Sequence, residues 1–93
     1  MEKQTGITTR QMQDAPKDAV FLWCNNRLYY PLSLARNIGR EDLIIKSKKI
    51  LRYGAIWFRG RWISGLVIDH ATRLTESERR GLEIVYASGI NVI

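Results

Sequence analysis

Cys24, Asp69 and His70 are the residues of this 93-residue chain whose types could support nucleophilic catalysis. A cysteine needs a nearby base to become a thiolate at neutral pH, and the single histidine could supply that base. Because neighbouring residues on a strand point to opposite faces, Asp69 cannot simply orient His70. A single cysteine is also a common packing residue. Catalysis by these three residues is therefore the third choice of function, after nucleic-acid binding and protein binding. We expect no metal and no cofactor.

Cations and aromatic rings alternate in a second set of residues, between positions 46 and 62. Lysine and arginine neutralise phosphates, and exposed aromatic or guanidinium planes stack on bases at about 1–3 kcal/mol per base. The same residue types dominate protein–protein hot spots, so an acidic protein surface is the rival partner. A solvated basic face with its tryptophans in the core is the alternative without function. The candidate binding residues are Lys46, Lys48, Lys49, Arg52, Trp57, Arg59, Arg61 and Trp62.

The net charge of +6 is concentrated in one contiguous part of the chain. Residues 36–61, here called the basic third, carry eight basic and two acidic side chains, and the remaining residues sum to zero. A local basic excess predicts a one-sided electric field rather than general solubility. This supports the choice of the 46–62 segment as the binding surface.

Length and composition predict one domain over residues 1–93, with a flexible tail over residues 1–6. With 45% hydrophobic residues the composition is that of a folded soluble protein, and every apolar run is far shorter than the roughly 20 residues that span a membrane. The first six residues lack the apolar stretch of a signal peptide, and one cysteine suits a reducing compartment. We therefore expect a cytoplasmic protein without membrane contact.

Four apolar runs predict the strands that position these side chains: 19–24, 43–45, 66–68 and 90–93. The run at 66–68 is expected to be a central parallel strand with Asp69 and His70 at its carboxyl end, where open α/β sheets bind ligands. Asn25 and Asn26 after the first run predict a turn. Alternatively, they line the same edge together with Cys24.

Capping residues predict the helices between these strands. Pro16 ends a short entry helix over 7–13 with Thr8 or Thr9 as its N-cap. A second helix covers 31–38 and ends at Gly39, and a third covers 75–88 with a Thr75–Glu78 capping box. Between them, a short helix over 47–54 precedes an aromatic hairpin.

The hairpin is predicted over 56–63 with its turn at Arg59-Gly60, which would place Trp57 opposite Trp62. The elements together predict an α/β fold with a small, mostly parallel sheet of about four strands flanked by helices. The basic aromatic hairpin is an insertion before the central strand. A homo-oligomeric contact through this hairpin is a further alternative.

The residues Leu66-Val67-Ile68-Asp69 resemble the Walker B strand of P-loop NTPases, whose terminal acid holds magnesium. Where the phosphate loop of that family should follow the first strand, this chain has Cys24-Asn25-Asn26-Arg27-Leu28, without a glycine-rich turn or Gly-Lys-Ser/Thr. The backbone cradle and the phosphate lysine are both missing. NTP hydrolysis is therefore not expected, while a similar topology without nucleotide remains open.

Three stretches resemble the short accessory reading frames of tailed-phage genomes: Ile-Thr-Thr-Arg-Gln-Met at 7–12, Ala-Val-Phe-Leu-Trp-Cys-Asn at 19–25 and Val-Ile-Asp-His-Ala at 67–71. The resemblance implies a phage accessory or host-interaction role in the host cytoplasm, and it assigns no functional residue. We therefore expect a small non-enzymatic binding protein whose preferred partner is nucleic acid. The alternative is a protein-interaction module, such as an inhibitor of a host or nucleic-acid enzyme.

Overall fold

A parallel β-sheet of three strands in the order β2–β1–β3 forms the centre of the protein. The structure is a computed structural model that describes residues 2–53 and 56–93, with the side chains of the first helix from residue 6 onward. Val20 pairs with Ile44 on one side and with Leu66 on the other. The strands are β1 (Val20–Trp23), β2 (Ile44–Ser47) and β3 (Leu66–Ile68).

Helices connect and cover these strands, which confirms the small α/β fold with a parallel sheet flanked by helices. The Thr75–Glu78 capping box is confirmed: the Thr75 hydroxyl accepts from the Glu78 N–H, and the Glu78 carboxylate accepts from the Thr75 N–H. Gly39 follows the second helix with a φ of 76°, a conformation that favours glycine. The helices are α1 (Glu2–Asp14), α2 (Tyr29–Asn37), a 3₁₀-helix (Lys48–Tyr53) and α3 (Glu76–Ala87).

Strand β1 is buried on both faces, which explains its continuous apolar sequence. Phe21 points to the face covered by α1 and α2, whereas Val20 and Leu22 point to the face covered by the 3₁₀-helix and α3. Alternation along the strand produces this division. The helix and turn residues that complete the cores are Met12, Ala15 and Ala35 on the first face and Leu51, Phe58 and Val85 on the second.

The connections that leave β1 and β3 diverge to opposite faces of the sheet. The chain passes from β1 to α2 on the first face, and from β3 to α3 on the second. In open α/β sheets such a divergence leaves a crevice at the carboxyl ends of the two strands. Trp23 and Ile68 end the strands at this edge.

Two predictions about the sheet are not met. The 66–68 strand is not central, because β1 occupies the middle of the sheet and β3 lies beside it. A sheet of about four strands is not confirmed either, since the run 90–93 contributes a single parallel bridge between Leu66 and Val92. That bridge is held by Leu66, which donates to the Asn91 carbonyl at 2.8 Å and accepts from the Ile93 N–H at 2.9 Å.

The predicted aromatic hairpin is also not confirmed. Residues 56–60 form consecutive turns rather than paired strands, and Phe58 is buried in the second core. Arg61 donates its Nε–H to the Trp57 carbonyl at 2.7 Å, so the chain folds back on itself. Trp62, predicted opposite Trp57, is 80% exposed. Burial of Phe58 and the Arg61 hydrogen bond therefore replace strand pairing.

Two helix boundaries differ from those predicted. Helix α1 begins at Glu2 rather than at Ile7, so Thr8 and Thr9 lie inside it and neither is its N-cap. The short helix predicted over 47–54 is the 3₁₀-helix, and Gly54, its predicted end, lies outside the described residues. The predicted tail over residues 1–6 stays a prediction.

Candidate nucleic-acid interface

The eight cations of the basic third divide into two groups of four. Among the described residues, one group forms ion pairs: Arg36 with Glu41, Arg40 with Asp42, and both Lys48 and Arg52 with Glu78. None of the ion pairs between described residues involves the other group, which consists of Lys46, Lys49, Arg59 and Arg61. The sequence predicted six of these eight cations as binding residues, all but Arg36 and Arg40. Two of the six, Lys48 and Arg52, are paired with the buried Glu78.

Glu78 neutralises two of the predicted binding residues from inside the protein. Its side chain is fully buried, and Oε1 accepts from Lys48 Nζ at 2.8 Å. Its other oxygen, Oε2, lies 3.5 Å from Arg52 Nε without hydrogen-bond geometry. Burial raises the pKa of Glu78, but hydrogen bonds from Lys48 and the Thr75 N–H outweigh burial and hold the pKa below its ordinary value.

Lys48 is therefore engaged in contacts within the fold. Only 16% of its side chain is exposed, and its ammonium also donates to the Arg73 carbonyl at 2.7 Å. Arg52 is half exposed, but its charge is shared with Glu78. These contacts, together with the close approach of α3, hold the 3₁₀-helix in place: a Cβ on Gly81 would overlap the Leu51 carbonyl oxygen.

Arg40 joins α1 to the loop before β2. It forms two hydrogen bonds with the Asp42 carboxylate, both at 3.0 Å, and donates to the carbonyls of Met12 and Pro16 near the end of α1. The hydrogen bond from Arg40, aided by the Asp18 N–H, holds the pKa of Asp42 far below its ordinary value. This cation is fully engaged in the fold.

The Trp57 ring gathers two of the available cations on the second face of the sheet. The guanidinium carbon of Arg61 lies 4.2 Å from the ring centroid, and Lys46 Nζ lies 6.0 Å from it. Both distances are within the range of cation–π attraction. Because Ile45 faces the first core, Lys46 points to the opposite face, where Trp57 packs. Trp57 thus supports the cations and has little free surface for a base.

Residues 56–62, here called the turn segment, and Tyr53 just before them carry several strongly exposed side chains. Tyr53 at the end of the 3₁₀-helix, Ile56 and Trp62 are 62%, 69% and 80% exposed, and Arg59 is exposed between the last two. The candidate residues chosen from the sequence include Arg59 and Trp62 but not Tyr53 or Ile56. Their exposure results from the packing of the folded chain, for which the sequence carries no local signal.

A hollow of about 310 Å³ lies between the turn segment and the end of α3. Arg59 and Arg61 stand on one side of it, and Ser88 and Ile90 on the other. The Ser88 hydroxyl donates to the Val85 carbonyl at 2.7 Å. The hollow combines two guanidinium groups with a small apolar wall, an arrangement suited to a phosphate and the sugar attached to it.

A second depression, of about 200 Å³, lies at the carboxyl ends of β1 and β3. Its lining includes Cys24, Asp69 and His70, so the structure brings the three catalytic candidates to one site. The Asn25 side chain accepts from the Arg27 N–H at 2.8 Å, which is the turn predicted for the two asparagines. The catalytic role of the three residues stays a prediction.

Asp69 is used by the fold at this edge. Its side chain is buried; one oxygen accepts from the Thr8 hydroxyl at 2.7 Å and the other from the Ala71 N–H at 3.1 Å. Gln11 completes the contact of α1 with β3, because it donates to the Ile68 carbonyl and accepts from the His70 N–H. In the described part of the chain, no group of three or more histidine, cysteine or acidic side chains is arranged to hold a metal.

The fold and site define a small α/β domain with a basic aromatic surface beside a three-stranded parallel sheet. Comparison with protein families, with characterised proteins and with solved structures finds no match to this chain. Among its described helices, none has the length and apolar character required to cross a membrane.

Proposed function

We propose that this protein binds nucleic acid through the turn segment and the cations beside it. The observation that carries the proposal is the separation of charges: Lys46, Lys49, Arg59 and Arg61 have no acidic partner among the described residues. The exposed rings of Tyr53 and Trp62 belong to the same stretch of the chain. Unpaired cations on a surface attract phosphates and release their counterions. Lys48 and Arg52 are left out of the proposed interface because Glu78 holds them.

The hollow beside Arg59 and Arg61 supports a phosphate contact at the centre of this interface. Arginine binds phosphate through two parallel hydrogen bonds, and two guanidinium groups at one hollow favour an anionic ligand. Arg61 is already oriented by the Trp57 carbonyl and ring, which reduces the entropy lost on binding. Arg59 is exposed and forms no ion pair with a described residue, so it is the position chosen for a test.

Fluorescence anisotropy with labelled oligonucleotides tests the proposal. We expect wild-type binding in about 50 mM salt that weakens steeply with added salt. Arg59→Ala should weaken binding across unrelated sequences and reduce the slope of log affinity against log salt by about 1. Arg80→Ala is the matched control, because Arg80 is also an exposed arginine but is paired with Glu76 at 3.1 Å. Absence of binding to DNA and RNA in low salt would refute the proposal.

An acidic protein surface is the second candidate partner, and the exposure of Ile56 favours it. An isoleucine that is 69% exposed beside arginines and a tryptophan has the composition of a protein–protein hot spot. Ile56→Ser separates the candidates because it removes apolar contact without changing charge. Unchanged oligonucleotide affinity in this variant supports phosphate capture, whereas a single saturable protein complex that the variant abolishes supports the rival.

A further inference from the structure

We infer that the turn segment is selective for single-stranded over duplex nucleic acid, with bases stacked on Tyr53 and Trp62. The inference rests on the proposed function and specifies which form of nucleic acid the same surface takes. It depends on the backbone of the segment, on the exposure of the two rings and on the position of the cations.

The chain enters the turn segment through two backbone hydrogen bonds that each span three residues. The Ile56 N–H donates to the Tyr53 carbonyl at 3.0 Å, and the Arg59 N–H donates to the Ile56 carbonyl at 3.3 Å. Tyr53, Ile56, Arg59 and Trp62 are all exposed along this short stretch of chain.

The side chains of Tyr53 and Trp62 are largely exposed to solvent. Trp62 is 80% exposed and Tyr53 is 62% exposed, whereas Trp57 is partly buried under Arg61. A ring in solvent gains by stacking on a base, and this contact tolerates any base because every base has a π-face. Bases in a duplex already stack on both sides, so their faces are unavailable to these rings.

The same surface is poorly built for reading a duplex. Direct readout of duplex DNA places a helix or a two-stranded ribbon in the major groove. The turn segment is neither, since residues 56–60 form tight turns. A flexible single strand can instead place phosphates at Lys49 and Arg59 while its bases turn to the aromatic rings.

The test compares labelled 12-nucleotide DNA and RNA strands with duplexes of the same sequence, by anisotropy on the full chain. We expect single strands to bind at least tenfold more tightly than duplexes. Trp62→Ala should weaken single-strand binding about tenfold and leave duplex binding and the salt slope unchanged. Trp62→Phe should restore most of the affinity. Tyr29→Ala removes an 84% exposed ring on α2 and is the matched control.

Intrinsic fluorescence gives a second readout. Stacking quenches tryptophan emission, so single strands should quench the wild type, and Trp62→Phe should lose that quenching while it still binds. Equal affinity for both forms, or a Trp62→Ala variant that binds single strands normally, would overturn the inference and leave nucleic-acid binding intact. Absence of binding to either form would refute the proposed function as well. Far-UV circular dichroism checks that each variant is folded.

Discussion

Two regions use the same kinds of residue for opposite purposes: the turn segment and the ion-paired group of Lys48, Arg52 and Glu78, here called the Glu78 cluster. In the cluster, Lys48 and Arg52 face a fully buried carboxylate and tie the 3₁₀-helix to α3. In the turn segment, Arg59 is exposed without an acidic partner among the described residues, and Arg61 rests on an aromatic ring. A cation contributes to the fold when it has a buried partner, and it remains available to a ligand when it has none.

The two regions should also respond differently to substitution. Removing one member of a buried ion pair leaves the other charge desolvated and unpaired, which costs stability. Removing an exposed, unpaired cation costs little stability but removes a contact for phosphate. Stability and binding should therefore depend on different cations in the basic third, and variants of each region can separate the two properties.

The largest effect is expected where α3 meets the 3₁₀-helix. Gly81→Ala places a Cβ on the Leu51 carbonyl oxygen, so the two elements must move apart and the Glu78 cluster opens. We expect the free energy of unfolding to fall by about 3 kcal/mol, as measured by urea denaturation. Gly39→Ala is the control, since it meets no atom within 4 Å and should cost about 1 kcal/mol through its positive φ. Equal losses in the two variants would contradict the close packing.

Loss of the buried charge should have the next largest effect. Glu78→Gln keeps the size of the side chain and its place in the capping box, but it leaves Lys48 without its counter-charge. We expect a loss of about 2 kcal/mol at pH 7. Because folding lowers the pKa of Glu78, its stabilisation is complete above the ordinary value of 4.5 and is lost as the pH falls through the lower folded value.

The difference in stability between wild type and Glu78→Gln should therefore shrink as urea denaturation is repeated from pH 7 towards pH 3. The pKa of Asp42 is also lowered by folding, so its protonation destabilises the folded state at low pH. This loss is equal in both proteins and therefore cancels in the difference between their stabilities. A difference that stays constant with pH would show that the Glu78 charge contributes nothing.

The smallest effect on stability is expected at Lys49. Its neighbour Lys48, which belongs to the Glu78 cluster, provides the contrast between the two regions. Lys49→Ala removes an exposed cation without an ion-pair partner among the described residues, so stability should change by less than about 0.5 kcal/mol. The salt slope of nucleic-acid binding should fall by about 1. Lys48→Ala should do the reverse, lowering stability and leaving the slope unchanged. If Lys48→Ala changes the slope as much, the separation of structural and binding cations is wrong.

Local patterns in the sequence were sufficient for much of the fold. The apolar runs around Val20 and Leu66 predict strands because both faces of a parallel strand must be apolar. The Thr75–Glu78 capping box and the glycine after α2 are short-range signals, so they are correct within a residue or two. The turn at Asn25 is equally local.

Long-range contacts account for the features that the sequence did not predict. The hairpin prediction is not confirmed because Phe58 packs in the core and Arg61 donates to the Trp57 carbonyl. The alternation of residue types along the sequence indicates neither contact. The binding role of the candidate residues stays a prediction, but one of them, Lys48, donates to the buried Glu78. Its partner Glu78 is 30 residues away, and a capping glutamate gives no sign that it is also an ion-pair acceptor.

Composition and short-range periodicity are sufficient to predict the class of fold and the location of the positive charge along the chain. They do not reveal that β1 is the central strand, that Asp69 accepts from Thr8, or which cations meet a carboxylate. These features depend on packing, which brings distant residues together, and the availability of a charged side chain depends on its neighbours in the fold. Arg59 and Trp62 remain exposed after that packing.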